Sequence, residues 1–227
     1  MVVILPRNKD VMLYDKRRLV GYGETIRRQE FDDILAKLGR INYVDLRGNS
    51  WQCLAVIAWL TGKRISEIVQ LHTTDIWVDD DYLNIQFRIM KKNRRPKNTE
   101  PLTNEEKRLL DRPRSTKKIT LSNPYVEYVI GYVDSFSKPS YFFPRENTAT
   151  GFIYPKYFWD VIKKLELRQP IWAHLFRHSL ATRLAEEGIT AWELKQWFNW
   201  STIALADKYV SSAGMDTPNI SDRSESR

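Results

Sequence analysis

The stretch from Trp172 to Leu184 constrains the fold more than any other part of the chain. Its apolar residues recur three and four positions apart, which is the period of a helix with one buried face: Phe176, Leu180, Ala181, Leu184 and Ala185. His174 and Arg177 are three apart, and His174 and His178 are four apart, so we predict that they lie on one side of this helix. For this motif alone, the alternative is a surface helix with incidental polar residues.

The positive charge of the chain is concentrated in one segment. The 227 residues carry a net charge of +8. Residues 91–118 contain eleven Lys or Arg and four Asp or Glu, a net charge of +7. Such a block is either a solvated segment or a nucleic-acid contact, and eight Trp and eleven Tyr offer surfaces on which bases can stack. The charge therefore favours a polyanionic partner.

Cysteine content and the apolar runs narrow the class of protein. The single cysteine, Cys53, excludes an internal disulfide and is predicted to be a small core residue. The longest strictly apolar run, Cys53–Leu60, is far shorter than a membrane span, and no secretory signal is visible. We therefore expect an intracellular protein without a membrane partner. The sequence also lacks a convincing cluster of metal ligands.

The remaining patterns predict an α+β fold that is mainly helical, with one small three-stranded antiparallel sheet. Thr74–Val78 and Tyr82–Met90 alternate around three aspartates and predict a hairpin. Lys118–Leu121 is predicted to return to this sheet as a third strand. Ser50 is expected to cap the helix that follows it. Helices are predicted at 26–38, 51–60, 65–71, 104–110, 123–136, 157–165, 173–187, 191–198 and 203–209.

Three short motifs stand far apart in the chain. Residues 61–68 read TGKRISEI, residues 174–182 read HLFRHSLAT, and residues 198–202 read FNWST, with Tyr209 nine positions after Trp200. They resemble the boxes of the tyrosine recombinase (phage-type integrase) family, which read TGxRxxE, HxLRH-S/T-xAT and LG-H/W-SS, followed by the tyrosine. The second box is highly specific. The resemblance covers about residues 26–212.

The resemblance implies a set of site residues. The catalytic ones are Arg64, Lys92, His174, Arg177, Trp200 and Tyr209. Supporting residues are Glu67, Lys91 and His178, and DNA-binding residues are Arg94, Arg95 and Lys97. The family carries its lysine on or just after the second strand, which makes Lys92 the first choice and Lys91 the second. Trp200 stands where most members have His, and it can donate one N–H but cannot accept a proton. Asn199 replaces the usual Gly.

A DNA-cleaving and rejoining activity is the function that the resemblance implies. Tyr209 would attack a phosphodiester to form a 3′-phosphotyrosyl intermediate, without metal, ATP or other cofactor. Arg64 and Arg177 would neutralise the phosphate as planar forks. His174 would take or orient the phenol proton, and Lys92 would protonate the leaving 5′-oxygen.

The resemblance also implies partners and boundaries. Double-stranded DNA is the expected partner, bound by a homotetramer on two DNA sites, in the cytoplasm or nucleoid or in the host cell of a mobile element. A single tyrosine recombinase catalytic domain is expected at 26–212. An N-terminal arm at 1–25 would precede it, and a polar, disordered tail at 213–227 would follow it.

Three alternatives stay open at the level of sequence. A type IB topoisomerase would share the chemistry and relax supercoils as a monomer. A catalytically inactive DNA-binding module would keep the fold alone, although Arg64, Arg177, His174 and Tyr209 are all present. An RNA-binding or structural basic protein would leave the register of the three motifs unexplained.

Overall fold

The computed structural model of the chain has the predicted α+β class. It describes residues 25–41, 49–89, 114–145, 148–167, 170–171 and 174–215. The helices are α1 Arg28–Leu38, α2 Ser50–Thr61, α3 Ile65–Ile68, α4 Val126–Val133, α5 Pro155–Lys164, α6 Leu175–Glu186, α7 Ala191–Phe198 and α8 Ala204–Met215. The strands are β1 Ile76–Asp79, β2 Tyr82–Arg88 and β3 Arg114–Thr120. Across these described ranges, no helix is long and apolar enough to cross a membrane.

Two compact units make up the chain: residues 29–177, and residues 1–28 together with 178–227. The larger unit is built around helix α2, which is apolar on every side and therefore almost wholly buried. Cys53 is fully buried within it, as predicted. Asn49 is the N-cap residue of this helix. The prediction that Ser50 caps it is wrong, because Ser50 is the first helical residue and its hydroxyl lacks a hydrogen-bond partner among the described residues.

An aromatic cluster connects the first helices of the larger unit to the start of α6. Phe31 of α1 stacks on Trp59 of α2 at a centroid distance of 4.4 Å. Tyr125 and Phe176 meet the same ring edge-on, at 5.1 and 6.2 Å. Edge-to-face and stacked pairs favour defined ring orientations. The cluster therefore holds the start of α6, which carries the second motif, against the helix that leads into the first.

The three strands form one antiparallel sheet in the order β1-β2-β3. Ile85 of β2 is the cross-strand partner of Ile76 on one side and of Lys117 on the other. Strand β3 begins at Arg114, four residues before the predicted start at Lys118. Pairing with β2 thus extends into the basic segment 91–118. The predicted helix at 104–110 lies outside the described residues.

The smaller unit packs α7 and α8 with the later part of α6. Its buried core contains Leu180, Ala181, Ala185, Leu194, Phe198 and Ala206. Helix α7 has the predicted bounds because a capping box starts it: the Glu193 N–H donates to Thr190 Oγ1, and Glu193 Oε2 accepts from the Thr190 N–H at 2.9 Å. Asn199 ends the helix in the left-handed conformation, with φ of 52°. Helix α8 continues to Met215, past the predicted end at Tyr209.

We predict that Asn199→Ala lowers the free energy of unfolding by about 1–2 kcal/mol, since a Cβ in the left-handed region is strained and alanine lacks the local hydrogen bonding that helps Asn. Asn199→Gly is the matched control and should lose little or no stability. Urea denaturation of the three proteins measures this. Equal stability of the alanine and glycine variants would contradict the claim that the left-handed backbone at position 199 is strained by an ordinary side chain.

Candidate active site

The first motif is a sharp turn at the end of α2. Gly62 takes a left-handed conformation with φ of 61°, and its N–H donates to Ala58 O at 2.9 Å. The Thr61 hydroxyl donates to Ile57 O at 2.6 Å and accepts from the Lys63 N–H at 3.3 Å. The Thr and Gly of the motif therefore shape the backbone that presents the two basic residues after them.

Arg64 directly precedes the short helix α3, and its backbone is held by Glu67. The Arg64 N–H donates to Glu67 Oε2 at 3.0 Å, and the carboxylate is buried. Glu67 thus acts on the main chain of Arg64, whose side chain is exposed. Helix α3 ends at Ile68, earlier than predicted, and with four residues it contributes little dipole to the site.

Arg177 connects the second motif to the first. Its guanidinium is buried, and Nη1 donates to Gly62 O at 2.9 Å across 115 residues of sequence. The charges of Arg64 and Arg177 both lower the pKa of His174, and the bond to Gly62 O places Arg177 beside the turn that presents Arg64. The structure therefore brings together the two arginines and the histidine that the sequence selected.

His174 lies in the turn before α6, not within the helix as predicted. Partial burial, followed by the positive charges of Arg64 and Arg177, lowers the pKa of its imidazole. The sign follows from the physics, because both effects disfavour a cationic ring. His174 is therefore held as a neutral imidazole at neutral pH, able to accept a proton or to donate one hydrogen bond.

Two buried lysines complete this group of charges, and the sequence reading missed them. Lys63 is 3% exposed and Lys117 is 4% exposed. Lys63 Nζ lies 5.2 Å from the centre of the Phe87 ring. Burial, and then the charges of Lys63 and Arg177, lowers the pKa of Lys117 to about 7. One signal was present: Lys117 has the same strand parity as the buried Ile119.

In the smaller unit, Tyr209 of α8 is half-buried against Trp200. The two rings are parallel within 9°, with centroids 5.4 Å apart, and Phe198 stacks on the tryptophan at 4.7 Å. Asn199, with its left-handed backbone, links Phe198 to Trp200. Trp200 therefore packs against the helix that carries Tyr209.

The imidazole that contacts the phenol is His178. Its Nδ1 lies 3.3 Å from Tyr209 Oη. Burial lowers the pKa of His178, so its ring is neutral at neutral pH and can accept the phenolic proton. The sequence reading gave His178 only a supporting role, since contact between α6 and α8 depends on how the helices pack.

The remaining predicted site residues all belong to the basic segment 91–118. Lys91, Lys92, Arg94, Arg95 and Lys97 lie outside the described residues, so their roles stay predictions. The described side chains include no group of three or more His, Cys, Asp or Glu placed to hold a metal ion.

Comparison with known proteins identifies relatives of the chain. The sequence profile described as the phage integrase family matches residues 24–214. No curated protein matches the sequence significantly. Among solved structures, the XerH site-specific recombinase bound to its difH substrate in a pre-cleavage complex is 14% identical, with a TM-score of 0.59. That match covers 82% of this chain and 50% of the XerH chain, so the chain spans half the length of this relative.

Two integrases give similar matches. The catalytic domain of bacteriophage HP1 integrase is 18% identical, with a TM-score of 0.54, and the match covers 86% of this chain and 91% of that one. The Tn1549 transposon integrase in complex with circular intermediate DNA is 17% identical, with a TM-score of 0.55, over 88% and 70% of the two chains. At identities this low, the matches establish the shared fold alone.

We predict that Lys117→Met makes the protein more stable below pH 7, by a few kcal/mol, since one unit of pKa shift corresponds to about 1.4 kcal/mol. The folded-state pKa of Lys117 is about 7, below the unfolded value of ~10.4. The unfolded chain therefore binds more protons between these values, and the stability of the wild type rises with pH through that window. The difference in stability between Lys117→Met and the wild type should therefore shrink as the pH rises through that window.

Denaturation at pH 6 and pH 9.5 tests this sign. Lys118→Met, at the exposed neighbour on the same strand, is the matched control and should show the same small effect at both pH values. A Lys117→Met variant that is less stable than the wild type at pH 6 would mean that the interactions of Lys117 in the folded protein outweigh its desolvation.

Proposed function

Since the chain belongs to the phage integrase family, we propose that it is a site-specific DNA recombinase that cleaves and rejoins DNA through a 3′-phosphotyrosyl intermediate. The observation that carries the proposal is the grouping of Arg64, Arg177 and His174, with Arg177 bonded to the turn that presents Arg64. Two structural relatives supply the substrate class: XerH is bound to difH, and the Tn1549 integrase is in complex with DNA.

The two arginines would bind the scissile phosphate. In the transition state, negative charge develops on the nonbridging oxygens of a five-coordinate phosphorus. A guanidinium offers planar, paired N–H donors that match these oxygens. The bond from Arg177 to Gly62 O would orient its fork before substrate arrives, which is how preorganised donors lower a barrier. His174, neutral beside them, would donate a hydrogen bond or receive a proton.

Tyr209 would be the nucleophile. Its phenol has an ordinary pKa of ~10, so attack requires a base or a nearby positive charge. The sequence favoured His174 for this proton, whereas the imidazole that contacts the hydroxyl is His178. As the oxygen–phosphorus bond forms, the phenolic proton would pass to an imidazole, and the P–O5′ bond would break. A 5′-hydroxyl from another strand could then reverse the step without ATP, because the bond energy is kept in the phosphotyrosine.

The proposed assembly is a homotetramer on two duplex sites, without a nucleotide cofactor. Lys92, with Lys91 as second choice, is the sequence-based candidate for the leaving-group proton, and Arg94, Arg95 and Lys97 are the candidates for contacts to the DNA backbone. A requirement for two sites in one reaction would separate recombination from topoisomerase-like relaxation, which needs one.

We predict that the wild type, incubated in EDTA without ATP with nicked duplexes of randomised sequence, forms a covalent protein–DNA adduct at Tyr209. Tyr209→Phe should bind the same DNA and form no adduct, because phenylalanine keeps the stack on Trp200 and removes only the hydroxyl. Tyr154→Phe, at an exposed tyrosine, is the control. Denaturing gels and peptide mapping give the readout, and an adduct that persists in Tyr209→Phe would place the nucleophile elsewhere.

We predict that Arg177→Lys slows cleavage on the order of 10²–10³-fold, the usual effect of removing one charge-stabilising donor. Lysine keeps the positive charge, so the salt dependence of DNA binding should change little. Arg183→Lys makes the same exchange on the same helix, where Arg183 faces Glu187 at 4.0 Å, and should cleave normally. Equal rates for the two variants would show that the planar fork of Arg177 has no part in the reaction.

A further inference from the structure

The backbone just before α1 is hydrogen-bonded to the helix that carries the second motif. The Ile26 N–H donates to Ser179 Oγ at 2.8 Å, across 153 residues of sequence. Both partners are buried, with Ile26 4% exposed and Ser179 2% exposed. A buried backbone N–H needs an acceptor, because water cannot supply one there. The Ser179 hydroxyl therefore secures the chain at the point where it enters α1.

Ser179 directly follows His178, whose imidazole contacts the Tyr209 phenol. His178 Nδ1 lies 3.3 Å from Tyr209 Oη, and the two ring centroids are 5.4 Å apart. Successive residues of an α-helix project about 100° apart. Helix α6 therefore presents one side chain to α8 and the next one to the backbone of Ile26. All four residues belong to the same compact unit.

We infer that Ser179 is a positioning residue for the proposed cleavage reaction. By holding the Ile26 N–H, it sets the rotation of α6 about its axis, and it thereby keeps His178 Nδ1 within reach of Tyr209 Oη. The inference rests on the proposed function, in which an imidazole receives the phenolic proton. Ser179 acts through His178 and neither gains nor loses a proton itself.

The contact that Ser179 would protect is sensitive to small movements. A separation of 3.3 Å is already long for a hydrogen bond to a hydroxyl, so a slight rotation of α6 would break it. The competing explanation is that Ser179 only stabilises the fold. Its loss would then lower the fraction of folded protein and leave the cleavage rate of the folded molecules unchanged.

The test measures formation of the Tyr209 adduct on nicked duplex DNA at saturating DNA, with the dissociation constant measured separately. We expect Ser179→Ala to form the adduct on the order of 10–100-fold more slowly, the scale of a small misplacement of a reacting group, and to bind DNA like the wild type. Ser179→Thr keeps the hydroxyl and should recover most of the rate. Ser212→Ala is the matched control, because it removes a hydroxyl that donates to Lys208 O at 2.7 Å, and it should react normally.

A double-mutant cycle separates positioning from a general structural role. In a His178→Gln background the imidazole is absent, so Ser179→Ala should slow the reaction little further. A role independent of His178 would slow both backgrounds by the same factor. Thermal melting shows whether each variant is folded. Ser179→Cys, which is close in size and a weak acceptor, takes the place of Ser179→Ala if the alanine variant does not fold.

Three results would overturn the inference. They are a folded Ser179→Ala or Ser179→Cys variant that reacts at the wild-type rate, a loss that appears only as weaker DNA binding, and an equal slowing in both backgrounds. In each of these cases the wild type still forms its adduct, so the proposed function stands. If the wild type itself forms no adduct, the proposed function is wrong and the role of Ser179 fails with it.

Discussion

The hydrogen bond from Arg177 to Gly62 O is the interaction on which the candidate site depends. The acceptor is a carbonyl just past the end of α2, where carbonyls lack helical partners and the helix dipole is negative. A buried guanidinium without such an acceptor would cost several kcal/mol. The same bond secures the turn that carries Arg64. Two motifs separated by more than a hundred residues therefore position each other. The orientation of each arginine depends on the motif that carries the other.

Much of each motif serves the backbone and not the chemistry. Thr61 and Gly62 form a turn that a residue with a Cβ at position 62 would strain, and Glu67 holds the main chain of Arg64. Asn199 takes the left-handed conformation at the position where the resemblance expects Gly, and Asn is among the few residues other than Gly that tolerate it. This departure from the family pattern is therefore explained by conformation. Trp200, the residue after Asn199, stacks on Tyr209.

The sequence predicted the site residues that belong to a motif and missed those that depend on packing over long distances. Helical periodicity gave α7 with its observed bounds, and the spacing of the motifs selected Arg64, His174 and Arg177. Lys117 was hidden because it lies among many charged residues, where the alternation of a single strand is a weak signal. Its burial follows from the pairing of β3 with β2, which local sequence does not determine. The contact of His178 with Tyr209 likewise requires α6 and α8 to pack.

Buried lysines oppose folding in the free protein, and this opposition connects stability to ligand binding. Desolvation, followed by neighbouring positive charges that include Arg177, disfavours the charged forms of Lys63 and Lys117. An anion that enters this group would offset part of that repulsion, so its binding would promote protonation of Lys117. By linkage, any ligand that binds only the folded state stabilises it. A phosphodiester in this position would thus stabilise the protein and favour the charged forms of the lysines around it in one event.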